Sequence, residues 1–383
     1  MSTQIVGQRV TYHIMDPDPV FSSLSVLITK GNKGLLVDTQ FSKADGDKIV
    51  AYAQAQKIDI ETIFISYSDP DYYFGLDEIL KAFPRARVLS TPANIARIRA
   101  SYATKLQVWK DVLQEKTPDR IVIPEPLTGR TLDFEGETFD IVGSGIKRQA
   151  IYNATDRLLF GGNLIDGEEH IFMADAQNVP NMKKWVAALD EMLALNPAIV
   201  IPGHLAELKD FTATHIRFTK AYIEDFIAAT EAAKTSADIV ATMKAKYPAL
   251  ADGSLEMSAN VVMGDMEWNA FDLPLSYSDL IGRQVDVLFE TGYHFKLEYL
   301  EGNQMRWTSL KEDNYGESNV ETIIVKDIVP SIINVNWVES TGISVTHVIN
   351  LTEGVINGLI LWNDPQAHGG RGVLNHKGTY KFL

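Results

Sequence analysis

The sequence predicts two domains of different classes, an α/β domain followed by a small antiparallel β-barrel. Up to about residue 210, β-branched runs typical of strands alternate with segments of helical apolar spacing. From about residue 280, short strands separated by turns follow one another at the spacing of a barrel. We therefore divide the chain into an α/β domain at residues 1–210, a helical extension and linker at 211–270, and a barrel at 271–383.

Composition excludes several classes of function. The 383 residues carry a net charge of −15 and include no cysteine. The negative charge repels phosphate backbones, so we expect no nucleic-acid partner. We expect no membrane partner either, because no apolar run approaches the roughly 20 residues that span a bilayer. The N-terminus lacks the basic and apolar regions of a signal peptide, and the absence of cysteine fits a cytoplasmic protein without disulfides or thiolate metal ligands.

The most informative stretch is the polar loop at residues 66–75, Ser-Tyr-Ser-Asp-Pro-Asp-Tyr-Tyr-Phe-Gly. A β-branched and aromatic run at 62–65 precedes it and predicts a buried strand. A segment of helical apolar spacing follows at 76–83. Because α/β folds keep their chemistry in loops at strand ends, we place the functional site here.

This loop resembles the metal-binding signature of the metallo-β-lactamase superfamily, His-x-His-x-Asp-His-x-x-Gly. On that frame, the five named positions are taken by Tyr67, Asp69, Asp71, Tyr72 and Gly75. Asp71 and Gly75 match, whereas all three histidine positions have changed. The resemblance implies an αβ/βα sandwich and hydrolysis of an ester, lactone or amide.

Three later landmarks extend the resemblance in the expected order. A Gly-Ser-Gly turn has Ser144 at a histidine position, and Gly-Gly-Asn has Asn163 at an aspartate position. Pro-Gly-His then brings His204 to the position of the last metal histidine. Hydroxyl and amide oxygens are poor zinc ligands, so we assign Ser144 and Asn163 to substrate binding.

The remaining ligands predict at most one metal ion. Asp69, Asp71 and His204 make a two-carboxylate, one-histidine set, to which His170 or Asp175 can be added. Such an oxygen-rich set suits Mn²⁺ or Fe²⁺ better than Zn²⁺. The alternative is that no metal binds, and that the two aspartates cap the following helix.

Metal-free chemistry is the second interpretation of the same residues. An Asp71–His204 pair suits acid–base catalysis. Tyr67 and Tyr72 can donate hydrogen bonds to a carbonyl or enolate oxygen. His170 follows the Gly-Gly-Asn turn, which faces the same cleft in the architecture that this part resembles. We predict these five residues to be catalytic.

The second domain resembles the MoaF-like and phenolic acid decarboxylase group of lipocalin-type barrels over residues 282–362. Three motifs carry the resemblance: Gly-Tyr-His-Phe-Lys-Leu-Glu from residue 292, Met-Arg-Trp from residue 305, and Trp-Val-Glu-Ser-Thr-Gly from residue 337. The resemblance implies a barrel with its binding site in the lumen.

Arg306 and Glu339 match the positions of a catalytic arginine and glutamate in the decarboxylases. Because side chains alternate along barrel strands, we predict that both converge with His347 in the lumen and bind substrate. A structural Arg–Glu ion pair is the alternative. Val287 and Phe289 replace the paired tyrosines of that group, which argues against decarboxylation.

These features favour a small-molecule enzyme of the hydrolase type, or one using metal-poor acid–base chemistry, in the first domain. One alternative is a non-catalytic binding or scaffold protein that uses the barrel, and another is lyase or decarboxylase chemistry in the barrel. His368 and His376 are expected in a solvated glycine-rich loop. Terminal helices often pack between subunits in the superfamily, so a homo-oligomer is compatible with the first domain.

Overall fold

The computed structural model describes residues 2–143, 148–167, 169–251, 253–268, 276–277, 280–329, 331–351 and 353–383. The chain forms two compact units, Met1–Asp272 and Leu273–Leu383. Within the described residues, every helix is too short or too polar to cross a membrane.

The first unit opens with a seven-stranded sheet. Its strands in order are β1 (Ser2–Val6), β2 (Thr11–Met15), β3 (Val26–Lys30), β4 (Lys33–Val37), β5 (Asp59–Ile65), β6 (Arg87–Ser90) and β7 (Glu125–Pro126). The first four strands form an antiparallel meander, and β4 to β7 run parallel. The connections contain α1 (Lys43–Ala55), α2 (Pro70–Tyr73), α3 (Leu76–Ala82) and α4 (Pro92–Leu113). Parallel strands end at one edge, so the loops after β4 and β5 meet there.

A five-stranded sheet follows. It is built from β8 (Thr131–Phe134), β9 (Glu137–Val142), β10 (Ala150–Asn153), β11 (Leu158–Phe160) and β12 (Ile199–Ile201), with β11 and β12 parallel. The accompanying helices are α5 (Val179–Ala194), α6 (Thr214–Ala232), α7 (Ser236–Lys246) and α8 (Leu255–Met263).

Three buried clusters show how these elements are layered. Residues from both sheets, such as Tyr12 and Phe139, pack together in one cluster, which therefore lies between the sheets. The opposite face of the first sheet packs on its helices through residues such as Leu36 and Ile49. The opposite face of the second sheet packs on α5 to α8. This is the predicted αβ/βα sandwich, and the helices expected to form an extension complete its outer layer.

Local sequence explains where α4 begins. Thr91 accepts a hydrogen bond from the Asn94 amide, and Pro92 occupies the first turn, where its missing N–H costs nothing. The helix runs to Leu113.

The second unit is a nine-stranded antiparallel sheet that curls into a nearly closed barrel. Its strands are β13 (Gln284–Phe289), β14 (His294–Leu300), β15 (Gln304–Ser309), β16 (Ser318–Thr322), β17 (Ile324–Val329), β18 (Ile332–Val338), β19 (Ser344–Asn350), β20 (Val355–Asn363) and β21 (Arg371–Phe382). Their order is β16-β15-β14-β13-β21-β20-β19-β18-β17. Ile323 alone separates β16 from β17. The last strand begins at Arg371, so His376 lies within it and is buried, contrary to the predicted solvated loop.

Candidate active site

Asp38 and Ser66 join the ends of β4 and β5. Asp38 has a φ of +61°, and its carboxylate accepts hydrogen bonds from the Ser66 amide at 2.7 Å and hydroxyl at 2.6 Å. Burial raises the pKa of Asp38 to about 8, although the Ser66 hydrogen bonds oppose this shift. The contact fixes the start of the polar loop.

His204 lies between two carboxylates. Its Nε2 is 2.9 Å from Asp71 Oδ2, and its Nδ1 is 2.9 Å from Asp166 Oδ1. The preceding residue, Gly203, lies against the main chain of Gly162. Only glycine fits there, since a Cβ at residue 203 would lie 1.7 Å from the Gly162 carbonyl oxygen. The predicted proximity of Asp71 and His204 is therefore present, with Asp166 as an additional partner.

The charge of His204 follows from these contacts. Burial alone would lower its pKa, but the hydrogen bonds to Asp166 and Asp71 raise the pKa well above the ordinary value. The ring is therefore an imidazolium near neutral pH, and each N–H donates to one carboxylate. A protonated His204 stabilises negative charge nearby.

Glu169 reaches the same cluster from the loop after β11. Its carboxylate lies within 4.8 Å of ligand atoms of Asp166 and His204, and the residue is partly exposed. Burial raises the pKa of Glu169 to about 7, and neighbouring carboxylates add to the rise while His204 opposes it. Glu169 therefore changes charge near neutral pH, as a general acid or base must.

The two tyrosines of the polar loop are buried beside these groups. The Tyr72 ring packs edge-on against His204 at 5.8 Å and against Tyr67 at 5.6 Å between centroids. The Tyr72 hydroxyl finds no hydrogen-bond partner among the described residues. Burial raises the pKa of Tyr72, so its hydroxyl stays protonated and can donate.

Helix α4 presents cations to the loop. Arg97 Nη2 donates to the Tyr67 hydroxyl at 3.0 Å, and Lys105 Nζ donates to Asp69 Oδ1 at 2.5 Å. Burial acts to raise the pKa of Asp69, but the attraction and hydrogen bond of the Lys105 ammonium outweigh it, so the pKa is lowered. Asp69 occupies the N-cap of α2, yet its side chain makes no capping hydrogen bond, so the predicted capping role is wrong for this residue.

Asp175 adds a further acid near Asp69. Trp268 Nε1 donates to Asp175 Oδ1 at 2.8 Å. Burial and the charge of Asp69 raise the pKa of Asp175 to about 7, while Lys105 opposes the rise. Asp175 is therefore part of the Lys105–Asp69 cluster, and it is absent from the ligand group around His204.

Other predicted residues of the first unit have structural contacts. His170 Nδ1 lies 2.9 Å from the Tyr222 hydroxyl, and the residue is buried in the helical layer. Asn163 accepts hydrogen bonds from Arg148 through its side-chain and main-chain oxygens. Ser144 lies outside the described residues.

The barrel does not bring its three predicted residues together. Arg306 is on the exposed face of β15, where Nη1 pairs with Glu298 at 2.5 Å. Glu339 lies in the turn after β18 and accepts from Thr341 at 3.3 Å. His347 alone of the three is in the interior, 4.9 Å from the Trp337 ring centroid. The predicted convergence is wrong because side chains alternate along β15, and the side chain of Arg306 points to the exposed face.

The residues present do not fit the two-metal site implied by the resemblance. The guanidinium of Arg97 and the ammonium of Lys105 contact two of the signature positions, Tyr67 and Asp69, and would repel a divalent ion. The predicted single-metal set of Asp69, Asp71 and His204 is not assembled either, because Asp69 pairs with Lys105.

Asp166, Glu169 and His204 have ligand atoms within 4.8 Å of one another, and they are one of two groups among the described residues that could hold an ion; the other, Asp77, Glu78 and Asp119, lies away from His204 in the sequence and includes the exposed Asp119. Binding there would require His204 to lose a proton that two carboxylates hold. The ion would therefore compete directly with the hydrogen bonds to Asp71 and Asp166.

Sequence reasoning missed Asp166, Glu169, Arg97 and Lys105. One available signal was the spacing of Asn94, Arg97, Ser101 and Lys105, which places four polar side chains on one side of α4. Such a stripe is typical of a solvated face, whereas Asn94, Arg97 and Ser101 are buried. Nothing in the loop after β11 distinguished Asp166 and Glu169 from surface acids.

Comparisons with known proteins agree with both units. Residues 18–204 match the family model of the metallo-beta-lactamase superfamily, and residues 281–375 match that of the MoaF-like family. Recombination protein 2 of Haemophilus influenzae is 34% identical over 84 residues, which cover 21% of this chain and 10% of that protein. The chain thus aligns with a tenth of the length of this curated relative.

Solved structures of metallo-β-lactamases resemble the first unit. DIM-1 is 16% identical, covering 58% of this chain and 97% of that one with a TM-score of 0.40. The enzyme from Hirschia baltica is 19% identical, with coverage of 58% and 97% and a TM-score of 0.38. By these family-model matches, residues 18–204 are similar to the metallo-β-lactamase superfamily and residues 281–375 to the MoaF-like family.

Proposed function

We propose that the first unit is a metal-independent acid–base enzyme acting on a carbonyl-containing small molecule. The superfamily fold is compatible with a hydrolase-type function, and hydrolysis of an ester, lactone or amide is the reaction we favour. The observation that carries the proposal is His204, held between Asp71 and Asp166 at 2.9 Å on each side. Strongly perturbed titratable groups cluster at functional sites, and these two carboxylates perturb His204 strongly.

Each group has a role that matches its environment. Glu169, with a pKa of about 7, accepts a proton from the attacking water and returns it to the departing oxygen or nitrogen. Both His204 N–H groups already donate to Asp71 and Asp166, so the imidazolium offsets the charge of these two carboxylates beside the substrate oxygen that becomes negative. The Tyr72 hydroxyl donates a hydrogen bond to the same oxygen, and Asp71 and Asp166 keep His204 protonated and oriented.

The test is hydrolysis of a panel of esters, lactones and amides by protein treated with a chelator. For any substrate found, we expect Glu169→Gln to lower kcat by roughly 100-fold or more. Glu207→Gln is the matched control, because Glu207 is exposed and pairs with Lys209. Activity that disappears with the chelator and returns with a metal would contradict the proposal, as would a fully active Glu169→Gln variant.

A second candidate function is small-molecule binding in the barrel. His347, Gly358 and His376 occupy paired positions on β19, β20 and β21. His347 Nδ1 and His376 Nε2 are buried and have no hydrogen-bond partner among the described residues. Two such acceptors or donors in an aromatic interior favour a small ligand with a polar group.

This candidate is tested by titrating the protein with phenol and with benzoate while following the histidine ring protons by NMR. Binding in the barrel should shift the His347 and His376 signals and leave His204 unchanged. The reverse pattern would assign the ligand to the first unit.

A further inference from the structure

Helix α4 contacts the polar loop through one continuous polar stripe. Asn94 Nδ2 donates to the Ser66 carbonyl at 2.7 Å, and Arg97 donates to the Tyr67 hydroxyl at 3.0 Å. One turn beyond Ser101, Lys105 Nζ donates to the Ser68 carbonyl at 3.1 Å and to Asp69 at 2.5 Å. The stripe therefore follows the loop residue by residue.

The cations of the stripe compensate buried acids. Asp69 and Asp175 form one acidic pair, and Asp71 and Asp166 surround His204. Buried carboxylates are costly unless a positive charge lies beside them. The Lys105 ammonium compensates the charge of the Asp69–Asp175 pair. The Arg97 guanidinium lies 4.9 Å from the centre of the Tyr67 ring and adds a second positive charge.

We infer that α4 supplies, through Arg97 and Lys105, the positive charge that metal ions would otherwise bring to the polar loop, and that these cations exclude divalent ions. Tyr67 and Asp69 occupy signature positions, and these are the residues that the two cations contact. The inference concerns charge compensation and does not depend on the proposed catalytic activity.

The first test removes the ammonium by Lys105→Met in the full chain, followed by calorimetric titration with Mn²⁺ and with Zn²⁺. The uncompensated carboxylates should attract a divalent ion, so we expect the variant to bind Mn²⁺ at least about tenfold more tightly than the unchanged protein. Added Mn²⁺ should also raise the Tm of the variant and not that of the unchanged protein. Lys110→Met is the matched control, since Lys110 is exposed on the same helix.

Two further variants keep the result interpretable. Lys105→Arg retains the charge and should behave like the unchanged protein, which separates charge from side-chain shape. Asp69→Asn/Lys105→Met lacks both members of the ion pair, so it should fold even if Lys105→Met is destabilised, and it should bind Mn²⁺ no more tightly than the unchanged protein.

The inference is overturned by tight stoichiometric metal binding to the unchanged protein, or by Mn²⁺ affinities that are equal in the unchanged protein and in Lys105→Met. If the inference fails, the proposed hydrolysis can still be tested, because that test compares the activity of Glu169→Gln with that of the unchanged protein and does not involve Lys105.

Discussion

The two units bury histidines in opposite ways. In the first unit, His204 lies between Asp71 and Asp166, and their hydrogen bonds raise its pKa well above the ordinary value in spite of burial. In the barrel, His347 packs against the rings of Trp337 and Phe289, and burial lowers its pKa to about 3. One histidine is therefore charged near neutral pH and the other is neutral.

The difference shows that the groups in contact with a buried histidine decide its charge, and that burial alone does not. The segments after β5 and β11 bring carboxylates to His204, which itself follows β12, because side chains outside strands are free of sheet alternation. The interior of the barrel is filled by alternate strand residues, which are mostly aromatic or aliphatic. The two carboxylates around His204 therefore contrast with the aromatic surroundings of His347, although the second unit also buries Glu321, which accepts a hydrogen bond from Trp307 Nε1.

The largest expected effect comes from removing one carboxylate from His204. Asp166→Asn keeps the shape but loses the charge, so the pKa of His204 should fall and the free energy of unfolding should drop by about 3 kcal/mol. If the first unit is an enzyme, kcat should fall by roughly 100-fold. NMR titration of the ring protons and urea denaturation measure these changes.

Asp47→Asn is the control for this variant, because Asp47 is exposed on α1. An unchanged pKa of His204 in Asp166→Asn would show that Asp71 alone holds the proton, and would weaken the comparison between the units.

The second prediction is that acid affects the surroundings of His347 and of His204 in opposite directions. The pKa of His347 is about 3 in the folded barrel and about 6.5 when unfolded, so the folded barrel binds fewer protons below pH 6.5. Its contribution to stability is present above that pH and is lost on acidification, by about 2 kcal/mol at pH 5. His376 acts in the same direction, because burial lowers its pKa.

At His204 in the first unit the sign is reversed, although burial lowers the pKa of His13 in the same unit. His204 has a raised pKa, so its contribution is fully present below about pH 6.5 and is lost only as the pH rises through the folded-state value. Asp38 and Glu169, with raised pKa values of about 8 and 7, also favour the protonated folded state. Hydrogen exchange of the full chain at pH 7 and pH 5, corrected for intrinsic rates, should show the barrel weakening and the first unit holding or gaining protection.

A His347→Gln variant should flatten the response of the barrel to acid. Parallel weakening of both units on acidification would contradict the opposed environments of His204 and His347.

Much of the fold could be predicted from sequence because its signals are local. The strand predicted from the β-branched run before residue 66 depends on neighbouring residues alone, and it was confirmed. The Thr91-Pro92 start of α4 is a local signal of the same kind. The two units were predicted from the change from alternating strands and helices to closely spaced strands.

The site was less predictable because it depends on contacts between distant segments. Asp71 and His204 are 133 residues apart, and the superfamily resemblance predicted that they would meet. Lys105 and Asp69 also meet across a loop and a helix, but a polar helical stripe has the same pattern whether it faces solvent or a buried loop. His376 was misplaced because glycines near residue 370 predicted a longer loop than β21 allows.

The smallest expected effect concerns Arg306, whose predicted place in the lumen was wrong. The preceding residue on the same strand, Met305, is fully buried. Because side chains alternate along a strand, Arg306 points outward, where it pairs with Glu298. Since exposed ion pairs contribute little, Arg306→Ala should lower the free energy of unfolding by about 0.5 kcal/mol, as measured by urea denaturation. Lys326→Ala on an exposed position of β17 is the control. A loss of more than about 2 kcal/mol would mean that the Arg306–Glu298 pair is buried, and the placement of Arg306 on the exposed face of the barrel would then be wrong.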